Sequence, residues 1–250
     1  MGTDPVFTID FDFVAHRLLV HTIEGRTASF SLLNRSVADF HHDLFDTLRA
    51  VGVATSIRHP DPFDLADATP FAQDTVHATY DAFWVTRYWQ VLTRVSLMLE
   101  AFAARYSGKT SPVHHFWHTL DLAVTRFSDR VVEQPAVVDP VTREAYSREV
   151  ISSGFWFGDD EVPAPAFYGY TAPEPAGLAD QPLHPAAAQW VSRGNGHLAV
   201  LGYDDARATT DPTATVLDFY ESAYQAGARL AGWDADSLAC PGGMTDPHAS

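Results

Sequence analysis

Between Ser107 and Arg130 the chain reads SGKTSPVHHFWHTLDLAVTRFSDR, a stretch rich in groups that hold anions or move protons. It contains the only lysine, Lys109, three of the 12 histidines (His114, His115 and His118), Asp121, and the pair Arg126 and Arg130. Elsewhere acids dominate, with 32 Asp+Glu against 16 Lys+Arg over the whole chain. Imidazoles and cations collected on such a background imply handling of negative charge or of a mobile proton.

A metal is the first chemistry to weigh. On a helix, His114 and His118 would meet at one ion. Pro112, the β-branched Val113 and the aromatics favour a strand instead, which puts those two imidazoles ~13 Å apart on one face. No metal is therefore expected. Neither GxGxxG nor GxxxxGK[ST] occurs, so no organic cofactor is expected, and the absence of GxSxG weakens an esterase reading.

Cofactor-free acid–base work needs other groups. Strand alternation puts Asp121 and Thr125 on one face and Leu122, Val124 and Arg126 on the other. If the apolar pair faces the core, Arg126 goes with it, and a buried guanidinium requires a carboxylate or an anionic ligand. Glu149 and Glu174 are the candidate carboxylates. The alternative is that Arg126, with Lys109 and Arg148, binds a sulfate, phosphate or carboxylate group. Glu149, in YSREV ahead of the aromatic GFWFG, is a candidate base whose pKa apolar walls would raise. His114 and Asp121 are the other candidates for proton transfer. Tyr168 and Tyr170 alternate with Gly169 and point one way; with Trp117 and Trp156 they are candidate pocket walls. Asp12 and His16 form either a proton pair or a turn cap.

These groups need a scaffold. At 250 residues, 46% hydrophobic and 12% aromatic, the chain can bury a full core. A net charge of −16 opposes binding to nucleic acid or to an anionic membrane surface. No run approaches the ~18 apolar residues that span a bilayer, and the N-terminus lacks the pattern of a signal peptide. A cytoplasmic protein is expected, and the near-exclusive use of arginine suits a GC-rich, actinobacterial source. VFTIDFDF, RLLVHTI and ASFSLL read as strands, and Ser36 caps a helix to about Val51. ATSIRHP reads as a short strand. Ala82 to Tyr106 is the longest helix, and Thr213 to Ala231 the last. Strands are expected at Val113–Trp117, Leu120–Phe127, Tyr146–Phe157, Ala166–Thr171, and at Ala187–Val191 and His197–Leu201 around the hairpin Ser192-Arg193-Gly194-Asn195-Gly196. Without βαβ alternation, the pattern predicts α+β: a mostly antiparallel sheet packed by a few long helices, in one domain over 1–239 with a flexible tail at 240–250.

The strings FDFVAHRL, DTVHATYD, GKTSPVHHFWHTLDLAVTRFS, EAYSREVISSGFWFG and FYGYTAPEP, with the late Trp233-Asp234, resemble a bacterial family of uncharacterised single-domain proteins. The resemblance covers nearly the whole chain. His115 and His118 stand where that family has Phe and Gly, and Arg148 where it has His; no catalytic residues carry over. Members of the family have a further strand-rich stretch ahead of the FDF strand. A small second polypeptide supplying it would make this chain similar to the larger component of the two-component aziridine-forming proteins of azinomycin-type antibiotic pathways.

The expected function is thus a cofactor-independent cyclase or lyase subunit of secondary metabolism. Its substrate would be a small molecule, free or attached to a carrier protein. Lys109, Arg126 and Arg148 hold an anionic leaving group such as sulfate while Glu149, His114 or Asp121 takes a proton from the attacking amine. A metal-dependent or acid–base hydrolase using the histidines, and a non-catalytic small-molecule-binding or scaffold protein, are the alternatives.

Overall fold

A computed structural model describes residues 5–62, 65–116, 119–160 and 162–245. Trp117 and His118, two of the sequence candidates, lie outside the described residues. The fold is α+β, with five helices and two antiparallel sheets of three and six strands among the described residues. The chain divides into two units, 1–91 and 92–250.

In the first unit, β1 (Phe7–Asp12), β2 (Arg17–Thr22) and β3 (Thr27–Ser31) form a meander. Alternation along β2 buries Leu18 and Val20. These pack with Phe30, Leu32, Leu48, Val51 and Val53 under α1 (Val37–Ala50). The α1 N-terminus shows how the chain satisfies a helix end. A helix leaves its first amides without intrahelical acceptors. Here Val37 donates to the His77 carbonyl (3.0 Å), Ala38 to the Asp74 carbonyl (2.8 Å) and Asp39 to the Ser36 hydroxyl (3.1 Å). The Asp39 carboxylate returns a bond to the Ser36 amide (3.1 Å), completing a capping box.

The acceptors at Asp74 and His77 are held in place by the Asp74 side chain. Its buried carboxylate accepts from the amides of Val76 (3.1 Å) and His77 (3.0 Å) and lies 2.7 Å from His77 Nδ1. The same DTVHATYD string places Tyr80 Oη 3.0 Å from His16 Nδ1. It also supplies Asp81, which accepts from the Trp84 amide at the start of α2 (Ala82–Ala103). Asp12 accepts from Val14 and Ala15, so it caps the β1–β2 turn; His16 contacts Tyr80 instead of Asp12. ATSIRHP forms no strand.

The second unit carries the larger sheet, in the order β4 (His114–His115), β5 (Leu122–Val131), β6 (Arg148–Trp156), β7 (Ala166–Ala172), β9 (Gly196–Gly202) and β8 (Gln189–Arg193). The predicted hairpin joins β8 to β9, with Gly194 in the left-handed region at φ 58°. A short α3 (Pro140–Ala145) precedes β6, and α4 (Tyr203–Arg207) follows β9. Helix α5 (Pro212–Ala231), capped by Asp211, packs on the sheet with Phe219, Tyr220, Ala223 and Ala226 buried. Its approach is close: a Cβ at Gly227 would strike the Thr171 hydroxyl and lie 3.2 Å from Ile151. The segment beyond α5 packs as well, with Cys240 buried and its amide bonded to the Arg105 carbonyl (2.9 Å).

One outcome follows for the first unit. Backbone donation from His77, the largest cause, holds the Asp74 carboxyl below its usual value. A carboxyl depressed on folding stabilises the protein above its unfolded pKa of about 4, and that stabilisation is lost as pH falls through the folded value. Asp74→Asn should therefore melt below wild type at pH 7, with the gap closing as thermal scans move to about pH 3. A constant gap across that range would mean that the charge contributes nothing.

Candidate functional site

Because opposed residues of antiparallel strands share a face, the register sorts the candidate groups. Leu122 pairs with Phe155, Val124 with Ser153, and Arg126 with Ile151; Phe155 pairs on with Phe167 and Ser153 with Gly169. This face lies under α5, where Gly169 approaches Ala223 and Phe167 contacts Tyr220. The opposite face carries Ala123 against Gly154 and Tyr168, then Thr125 against Ser152 and Tyr170. Asp121 precedes β5 in the same alternation, and Trp156 continues it along β6.

On this second face the Asp121 carboxylate is buried and accepts hydrogen bonds from the hydroxyls of Tyr168 and Thr119. Tyr168 meets Trp156 edge-on at 5.2 Å and stacks parallel to Tyr170 at 6.4 Å. Tyr170 Oη lies 3.2 Å from Tyr146 Oη, and Thr125 Oγ1 3.0 Å from Ser152 Oγ. Burial, then the Asp121 charge, pushes the Tyr168 phenol well above its ordinary pKa. Tyr170 is raised too, by burial first and then by Tyr146. Both phenols are therefore neutral, and Tyr168 donates to Asp121. Gly154 makes the arrangement possible, since a Cβ there would strike the Leu122 carbonyl and the Tyr168 hydroxyl. Val162, Val191 and Leu198 pack beside Trp156 and Tyr168, while Tyr170, Thr125 and Tyr146 stay half-buried.

Lys109 belongs to this face. Thr110 bridges to Arg126, so its neighbour Lys109 falls on the other side, where Nζ sits 4.9 Å from the centre of the Phe127 ring. His114, paired with Ala123, shares the face and has Nδ1 3.1 Å from the Pro112 carbonyl. Arg148, at the start of β6, donates to the Asp129 carbonyl.

Arg126 and Glu149 lie on the helix side, and each is engaged there. Arg126 is 1% exposed, with its guanidinium 3.8 Å from the Phe102 ring centre, 4.2 Å from that of Tyr224 and 5.0 Å from that of Tyr106. Its Nη2 donates to the Phe102 carbonyl (2.7 Å). Its carboxylate neighbour is Glu221, 3.9 Å from Nη1, in place of the expected Glu149 or Glu174. Glu174 holds His197 (2.8 Å). Glu149 accepts from Trp233 Nε1 (2.8 Å) and Ser128 Oγ (3.1 Å), with Arg130 Nη1 at 3.6 Å. Arg130 also donates to the carbonyls of Ala231 and Gly232, so this cluster fastens the end of α5. The structure thus separates Arg126 from Lys109 across the sheet.

Tyr146, Thr125 and Ser152 were not among the sequence candidates, although Thr125 was placed on the Asp121 face. The partners Glu221, Tyr224 and Trp233 have no local signal, because helix–sheet register decides them. Among the described residues, no three or more His, Cys, Asp and Glu converge as metal ligands, and no helix is long and apolar enough to cross a membrane.

The match that runs through these elements is to a family model described as "Family of unknown function (DUF5996)", covering residues 1–240. The chain belongs to DUF5996. Comparison of this DUF5996 chain with curated proteins and with solved structures finds no match in either.

Tyr168→Phe tests the buried pair. It leaves the packing but removes one of two donors to a buried carboxylate, a loss of about 1–3 kcal/mol. Denaturant unfolding should show that decrease, and an unchanged midpoint would mean that Asp121 finds another donor.

Proposed function

We propose that this chain is the catalytic subunit of an enzyme of secondary metabolism acting on a small amine, with Asp121 as its proton acceptor. The observation that carries the reading is the Asp121 carboxylate, held by two hydroxyls on a sheet face that also presents Trp156, Tyr168 and Tyr170. Aromatic faces attract an ammonium group, and a positioned carboxylate takes its proton as the nitrogen becomes a nucleophile.

In the finer form of the proposal the reaction is an intramolecular displacement. The amine lone pair forms a bond to a neighbouring carbon, the bond from that carbon to an anionic group such as sulfate breaks, and the nitrogen's proton goes to Asp121. Orientation supplies much of the acceleration. Lys109, the lysine on the same face, is the group suited to the departing anion. Closure of a three-membered ring rests on the resemblance to the two-component aziridine-forming proteins.

A small second subunit belongs to the same proposal. Its support is β1, which pairs with β2 on one side only among the described residues and exposes Ile9 and Phe11. Such an edge invites strand addition.

Turnover of a vicinal amino sulfate ester is the direct test, followed as sulfate release with and without a co-expressed small partner. Asp121→Asn should reduce turnover at least ~100-fold while Glu149→Gln, whose carboxylate serves the α5 anchor, retains most of it. The opposite ranking would move the base to Glu149. Amine binding without turnover by the complex would leave a binding protein.

A further inference from the structure

The connection between β5 and β6 stands apart from the sheet that it joins. Pairing of the two strands runs from Leu122 to Phe127, is interrupted, and resumes where Val131 meets Arg148. The Val132 amide then donates to the Ser147 carbonyl (2.9 Å), which brings the two roots of the connection together. Between those roots, residues 133–146 are braced from within. Arg143 Nη2 donates to the carbonyls of Pro135 (3.2 Å), Ala136 (2.9 Å) and Val138 (3.2 Å). Asp139 caps α3 by accepting from the amides of Val141 (2.9 Å) and Thr142 (3.0 Å), and Gln134 donates to the Tyr146 carbonyl (2.6 Å).

Ties to the rest of the unit are few. No residue of α3 is buried, and Val137 and Val141 are 94% and 70% exposed. Apart from the roots, the described residues give this segment one side-chain hydrogen bond to the sheet, from Tyr146 Oη to Tyr170 Oη at 3.2 Å. A segment that is rigid in itself and lightly held at its outer end moves as a body about its roots. One bond between neutral hydroxyls is a weak hold. The place where it touches down matters. Tyr170 stacks on Tyr168, the donor to Asp121, and pairs across the strands with Ser152, whose Oγ lies 3.0 Å from Thr125 Oγ1.

We propose that residues 133–146 are a hinged flap over the Tyr168–Tyr170 face, latched by the Tyr146 hydroxyl, which opens to admit the amine and closes to keep water from it. Opening breaks the Tyr146–Tyr170 bond and uncovers the Tyr170 ring while the bonds inside the segment persist. Closure over a bound amine restores the bond and encloses the proton transfer. The role as a gate rests on the reading of this face as the amine site; the motion of the flap does not.

Fluorine NMR of the fluorotyrosine-labelled chain reads the motion without any substrate, with signals assigned from Tyr170→Phe and Tyr220→Phe. A neutral gadolinium chelate broadens the rings that reach solvent. Tyr146→Phe keeps the ring and removes the latch, so the broadening of Tyr170 should rise about threefold or more. Tyr220, fully buried in α5, should not respond. Aminoethyl hydrogen sulfate, a vicinal amino sulfate ester, should protect Tyr170 in the wild type. In turnover of the same ester, Tyr146→Phe should raise KM by about threefold or more with kcat changed less. Equal broadening of Tyr170 in wild type and Tyr146→Phe would overturn the flap. A Tyr170 signal that responds to Tyr146→Phe but gains no protection from the ester would overturn its role as a gate. Asp121→Asn that retained turnover would move the base instead, and the substrate-free response of Tyr170 would still uphold the flap.

Discussion

The register of β6 between β5 and β7 is the constraint on which the rest of the second unit depends. Side chains along a strand alternate with a period of two, so a slip of one residue would exchange everything on the two faces. Here the register sends Arg126, Ile151, Ser153 and Phe155 toward α5, and Thr125, Ser152, Gly154 and Trp156 to the other side. Gly154 is where this register can be sensed sterically, since its bare Cα leaves room for the Leu122 carbonyl and the Tyr168 hydroxyl. At Gly227 a missing side chain likewise lets α5 settle against Thr171 and Ile151. Two glycines thus set the distances at which the chemistry of each face is assembled.

The two faces handle charge by different means. On the face opposite α5 a carboxylate is buried and satisfied by neutral hydroxyls, leaving its charge uncancelled by any cation at hydrogen-bond range among the described contacts. On the helix face a guanidinium is buried and held largely by π-systems, with its carboxylate neighbour too distant for a hydrogen bond. A guanidinium is weakly hydrated and stacks well on rings, which makes it the cation best suited to such a place. The first arrangement holds a negative centre on one side of the sheet, and the second a positive centre on the other.

Much of this was legible in the sequence because it is local. Ser36 as a cap, the glycine-centred hairpin and the three long helices follow from short-range rules, and so do the common face of Tyr168 and Tyr170 and the inward turn of Arg126 with Leu122 and Val124. What alternation cannot give is the identity of the element opposite. Lys109 and Arg126 are close in sequence and were grouped on that ground, yet the bridge at Thr110 puts them on opposite sides of the sheet. Glu149 looked like a charge stranded among aromatics; its partners Trp233 and Arg130 come from the far end of α5 and from β5. ATSIRHP has strand-forming residues but no neighbour with which to pair, and propensity alone does not make a strand.

The DTVHATYD string is the other lesson. It carries no catalytic signature, and its role emerges only when the amides of Val37 and Ala38 are traced to their acceptors. A run of residues without catalytic chemistry can serve the fold by completing a helix end some forty positions earlier in the chain.

The fastening around Glu149 bears on how the chain is made. The Trp233 indole and the Ala231 and Gly232 carbonyls reach back to β5 and β6, and the strand-like bridge of Tyr106 to Ala239 and the bond from the Ser107 amide to the Leu238 carbonyl close the same end of the unit. These links join segments that lie 84 residues or more apart in the chain. A nascent chain leaving the ribosome can complete the small meander and α1 early, whereas the larger sheet waits, with the cage around Arg126 lacking Tyr224, until α5 and the segment to Cys240 have emerged. For that interval the second unit is a natural client for chaperones.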